Sequence, residues 1–239
     1  MDLKILNNNF VLIFRENIVS SLSTEAVEAK IKALFSSSSP NPILTKFPDQ
    51  VMFFVPEIQM SVVVTKAAMI VTDQRVSSPS RRDALELVRF VDGLVKLINK
   101  PVTAYGFNFI AEIEGDFIGL ASTFKNELLN QDNLPDLAGA ELSYVLPQFS
   151  LIRGEAKLTI KFEPVLEDNA KEADKLRFNI NVHYNLNGTF PEIEPLRNQY
   201  EDQQNYVSTF INKFYEPHPE QPTEPVQPAA PVQPTGPAL

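Results

Sequence analysis

Strand-forming segments follow one another twice in this chain with no helical stretch between them, and a long amphipathic helix closes each run. The first run covers residues 51–55, 58–66 and 68–74; the second covers 142–153, 156–163 and 175–186. Parallel neighbours need a crossover connection, usually a helix, so strands linked without one pair antiparallel. With the other segments the order reads β-α-βββ-α-β-α-βββ-α, which makes the chain α+β: antiparallel sheet packed against amphipathic helices. Three strands and then a helix occur at 51–99 and again at 142–215. That recurrence raises an internal duplication into two related βββα halves as a hypothesis, although the halves share no residue-level identity.

Periodicity carries the individual assignments. In 58–66, Ile58, Met60, Val62 and Val64 alternate with Gln59, Ser61 and Thr65, the two-residue period of a half-buried strand. The segment 103–114 puts Tyr105, Phe107, Phe109, Ala111 and Ile113 on one side, and 10–15 reads as a short buried strand. Helices are expected over 24–35 with Ser23 or Thr24 as cap, over 81–99 between Pro79 and Pro101, over 117–130, and over 194–215. The stripe Leu87, Val88, Val91, Leu94, Val95 and Ile98 in the second helix is interrupted by Gly93. A helical glycine costs about 1 kcal/mol against alanine, so a close backbone approach is expected there.

The globular part is expected to span 1–215 of the 239 residues as one α+β domain, with halves 1–115 and 116–215. From Pro219 a proline recurs at every third position to Pro237. That spacing matches the three residues per turn of polyproline II, so 216–239 reads as a disordered or semi-rigid tail without a core of its own. There is no cysteine, which excludes thiol chemistry and disulfides and suits a reducing compartment. The net charge of −9 opposes general nucleic-acid binding, which depends on Lys and Arg displacing counterions. The N-terminal residues make neither a signal peptide nor a membrane span, so a cytoplasmic protein without membrane association is expected.

The most legible strand, 175–186, has two unlike faces. Leu176, Phe178, Ile180, Val182, Tyr184 and Leu186 form the apolar one, and Arg177, Asn179, Asn181, His183 and Asn185 the other. Asparagine is a poor strand former because its amide competes for backbone hydrogen bonds. An ordinary solvated face more often uses Thr, Lys or Glu, so these five residues are interface candidates, for a wet contact or a ligand groove. Ser80, Arg81 and Arg82 at a helix N-terminus are anion-binding candidates, against the simpler reading of a solvated loop. Glu112 and Glu114 share a strand face and would suit a hard cation, although solvent-facing carboxylates are commoner. Asp136 with Glu155 and Lys157 resembles the metal-dependent nuclease pattern in which two acids hold Mg²⁺ and a lysine positions water; here the aspartate falls in a loop.

His183 lacks metal-ligand spacing to any partner, and phosphate-loop and nucleophile-elbow motifs are absent. No catalytic residue, metal or cofactor is therefore expected. The chain reads as a non-enzymatic interaction or assembly protein that binds a protein partner or itself as a homo-oligomer, in keeping with a bacterial or phage assembly. The alternatives are a ligand-binding domain with a Phe-lined cavity between sheet and helices, and a Mg²⁺-dependent nuclease-like hydrolase.

Overall fold

The structure, a computed structural model, describes residues 3–35, 40–75, 84–114, 148–165 and 175–214. Within them nine strands form one antiparallel sheet: β1 (Leu3–Phe14), β2 (Ile43–Phe47), β3 (Gln50–Val55), β4 (Met60–Thr65), β5 (Ala68–Asp73), β6 (Val102–Glu114), β7 (Gln148–Arg153), β8 (Ala156–Val165) and β9 (Lys175–Asn185). Three helices accompany them: α1 (Thr24–Leu34), α2 (Ala84–Ile98) and α3 (Ile193–Phe214). The α+β architecture and the order of its elements follow the sequence reading. The helix expected at 117–130, the strand start at 142–147 and the Pro-rich tail lie outside the described residues.

The sheet order is β2-β3-β4-β5-β1-β6-β9-β8-β7. Both halves thread it alike. β1 takes a central place and β5, the last strand before α2, returns to pair with it; β6 takes the adjoining place and β9, the last strand before α3, returns to pair with it. β1 and β6 then pair with each other from Leu3↔Ile113 to Phe14↔Val102, which joins the halves in one sheet. The first half has a strand the sequence reading missed: β2, directly after Pro40-Asn41-Pro42, precedes the three expected strands.

β1 is also longer than its apolar run. It begins at Leu3 and passes through Asn7, Asn8 and Asn9, three residues that disfavour strands. A register shift between Ile5 and Asn7 leaves Leu6 as an extra residue against β6. Such a bulge reverses which face successive side chains take. Leu3 and Ile5 are buried before it, and Asn8, Phe10, Leu12 and Phe14 after it. The expected strand 58–66 is shorter than its pattern, because Pro56–Ile58 form a 3-10 turn and Gln59 takes a left-handed φ of 50° before β4 starts.

One hydrophobic cluster lies between the sheet and the helices. Phe10, Phe53, Phe107, Phe109, Phe162 and Phe178 contribute from the strands, and Val27, Ile31, Phe90, Val91, Leu94, Tyr200 and Ile211 from the helices. α1 is capped as expected, with Ser23 Oγ accepting from the Ala26 N–H at 3.2 Å. α3 seats a polar seam within this apolar layer. Tyr105 donates to Gln199 Oε1 at 2.6 Å, Gln203 Nε2 donates to the Tyr184 hydroxyl at 2.8 Å, and Asn8 Nδ2 donates to the Tyr200 hydroxyl. Tyr105 and Tyr184 stack with centroids 4.9 Å apart. Burial pushes the Tyr105 hydroxyl up to about 12, with the neighbouring Tyr184 adding to the effect, and burial pushes Tyr184 up as well.

Gly93 has a different role from the expected close backbone approach. A Cβ there would meet the flexible end of Lys30 from α1, not a backbone. The close approach lies instead at Gly106 in β6, where a Cβ would fall 2.4 Å from the Val182 carbonyl oxygen of β9.

Candidate functional site

All three described helices pack on one face of the sheet, and the side chains of the opposite face define the candidate site. Register places them in rows that cross the strands. One row runs Ser61, Thr72, Asn9, Asn108, Asn181, Thr159, Ser150, through β4, β5, β1, β6, β9, β8 and β7. At about 4.8 Å per strand, seven hydrogen-bonding side chains in register extend roughly 29 Å. A second row carries Asn7, Ile110, Asn179, Lys161 and Gln148, and a third Val11, Gly106, His183, Lys157 and Ile152. At the far end Lys4, Glu112, Arg177 and Glu163 alternate in charge.

Four of the five candidates on β9 fall in these rows, and Asn185, opposite Ala104, lies beyond them. Asn179 and Asn181 join Asn9, Asn108, Ile110, Thr159 and Lys161 around a depression of about 280 Å³. Asn181 Nδ2 donates to Asn108 Oδ1, so these two amides already form a pair across β6 and β9. Arg177 is engaged with Glu112, at 2.8 Å from Nε and 2.5 Å from a terminal nitrogen to Oε1. The Glu112 carboxylate thus binds an arginine. His183 Nε2 donates to Asn185 Oδ1 at 3.0 Å, which occupies both side chains with each other.

Several members of the site escaped the sequence reading. Asn9 and Asn108 sit beside the β9 amides only because β1 and β6 insert at the sheet centre, a pairing invisible in any one segment. A signal did exist: Asn108 interrupts the outward side of the 103–114 strand with the same residue type as Asn179 and Asn181. Asn7 Oδ1 and Asn9 Oδ1 are closed off from solvent without a protein partner, as Asn8 Oδ1 is on the helix side. A buried acceptor left unpaired costs about 1–3 kcal/mol.

Of the remaining candidates, Lys157 shares this face, in the row of His183. Ser80, Arg81 and Arg82 lie outside the described residues, as does Asp136. Glu155 is exposed beside the β7–β8 turn and Lys157 is exposed on β8. Among the described residues no three His, Asp or Glu side chains gather as a metal ion would require. Nor is any described helix long and apolar enough to cross a membrane. The phenylalanines of the core meet edge to face, as Phe10–Phe107 at 4.8 Å and Phe162–Phe178 at 5.1 Å do. A second depression, about 600 Å³, lies where α2 meets the approach to α3, lined by Asp92, Val95, Lys96, Phe190, Glu192 and Glu194. Its one lysine is already bonded to Asp92 at 2.8 Å.

Fold and site together define an α+β protein with one helix-covered sheet face and one face crossed by neutral amides. No protein-family model matches the chain, and no curated protein resembles it in sequence.

Proposed function

We propose that this chain is a non-enzymatic interaction protein whose amide-lined sheet face binds a protein partner. The observation that carries the reading is the continuous polar row from Ser61 to Ser150, with its asparagines grouped on β1, β6 and β9. Neutral amides offer donors and acceptors without the proton-transfer range that catalysis needs, and they suit the wet, polar contacts of a recognition surface. Shape points the same way. A depression of about 280 Å³ falls just below the roughly 300–1,000 Å³ of small-molecule pockets, whereas a row of some 29 Å suits an extended contact.

The test compares the full chain with its Asn179→Thr/Asn181→Thr variant, each immobilised and exposed to an extract of its native cells. The reading expects a small set of proteins retained by the parent and lost by the variant. Identical retention, or none above background, contradicts it.

A further inference from the structure

We propose that β2 is a self-pairing edge: two copies of this chain join antiparallel along Ile43–Phe47 and continue the sheet from one protomer into the next. This surface is separate from the amide row and does not depend on it.

β2 is the first strand of the described sheet and pairs with β3 alone, so among the described residues one side of its backbone has no strand neighbour. Proteins usually blunt such an edge with charge, proline or a bulge. Here Ile43 is 53% exposed, Leu44 39% and Phe47 54%, and the one charged residue is Lys46. Each face of the edge therefore carries apolar side chains: register with β3 puts Ile43 and Phe47 beside the outward Phe54 and Gln50, and Leu44, with Lys46 on the same face, beside the buried Phe53.

The sequence of β2 fits its own copy. A two-fold axis perpendicular to the sheet, midway between Thr45 of one copy and Thr45 of the other, pairs Ile43 with Phe47 of the second copy, and Leu44 with its Lys46. Apolar groups then meet apolar groups on the outward face. Each lysine lies against a leucine, and the two lysines are kept apart. This is the self-complementarity that an isologous contact requires. The same axis leaves both sets of helices on one side, so two amide rows become parts of one surface. The chain's own Pro-rich segment does not suit this edge, because a proline at every third position from Pro219 to Pro237 cannot donate to a ladder. Five residues make a short seam, so the dimer forms with rising concentration rather than permanently.

The test is sedimentation or light-scattering mass over a concentration series for the parent, Leu44→Lys and Leu44→Glu, with circular dichroism to show that each is folded. In the proposed register a lysine at 44 faces Lys46 of the other copy, and a glutamate there forms an ion pair with it. Opposed like and unlike charges across strands, two of each by symmetry, should separate the dimer constants of the variants by about tenfold, with Leu44→Glu the tighter. The general charge of −9 would order them the other way, since glutamate deepens it and lysine lessens it. A monomeric parent at every concentration overturns the proposal, and so do two variants that associate equally or in the reverse order. Asn179→Thr/Asn181→Thr should leave the mass of the parent unchanged, which separates this test from that of the amide face.

Discussion

The two halves of the sheet are threaded alike, apart from the extra β2 of the first, and finished differently. In β1–β5 and in β6–β9 the inward side chains are the same kind, phenylalanine and branched aliphatics under helices. Outward, the first half sets Ser61, Thr72 and Asn9 among Met52, Phe54, Val63, Ile70, Val11 and Ile13, all half-buried, and ends at the apolar edge β2. The second presents Asn108, Asn179, Asn181, His183, Lys157 and Lys161. Its last hairpin is tied down: Arg153 binds Asp202 of α3 with terminal nitrogens 2.5 and 2.9 Å from the two carboxylate oxygens, and lies 4.7 Å over the Tyr206 ring. The arginine holds the Asp202 carboxyl below the usual range. What the halves share specifies the fold, and what they do not share is available for recognition.

Removing an inward side chain should therefore do the most damage. Phe107 meets Phe10, Tyr184 and Tyr200 edge to face at 4.8, 5.8 and 5.3 Å. Phe107→Ala should cost about 3–5 kcal/mol, read as a fall in the urea midpoint with an unchanged slope. A loss like that of a surface substitution would break the distinction between the faces.

The two buried glycines sharpen it next. Gly106→Ala sets a methyl against the backbone of β9 and should destabilise by about 1–3 kcal/mol. Gly93→Ala meets only the movable end of Lys30 and gains helix propensity, so it should be neutral or stabilising by up to about 1 kcal/mol. Thermal melts of the pair decide whether the β6–β9 contact is as close as the structure gives it.

The tyrosine seam adds a dependence on pH confined to the helix-covered face. Tyr105 ionises near 10 when the chain is unfolded and near 12 when folded, so the folded state holds its proton more tightly. Its contribution is complete below pH 10 and is lost as pH rises to 12. Tyr105→Phe should flatten the fall of melting temperature across that window, and tyrosinate absorbance of the parent should show a late-ionising group. An equally steep fall in the variant contradicts the assignment.

Legibility in the sequence followed the same division. Inward alternation revealed β6 and β9 to within one residue, because apolar periodicity and burial are the same physical requirement. α3, read as 194–215, is observed as Ile193–Phe214. Misses fell where local preference and position conflict. The asparagines of β1 argue against a strand, and the Leu6 bulge breaks the alternation that would have overruled them. β2 follows Pro40 and Pro42 and buries neither face fully, so it shows no period. The candidate site was half visible: Asn179 and Asn181 stood out on one strand, but the row to Asn9 and Asn108 depends on long-range pairing that no local pattern encodes.

The claim that outward amides serve contact and not folding is tested most directly by one variant with two readouts. Asn179→Thr/Asn181→Thr replaces poor strand formers by a good one, so the urea midpoint should stay within about 0.5 kcal/mol of the parent or rise. The same protein should no longer retain the partners that the parent retains. A variant that unfolds more easily while binding as before would show that the amides hold the sheet together and that recognition lies elsewhere.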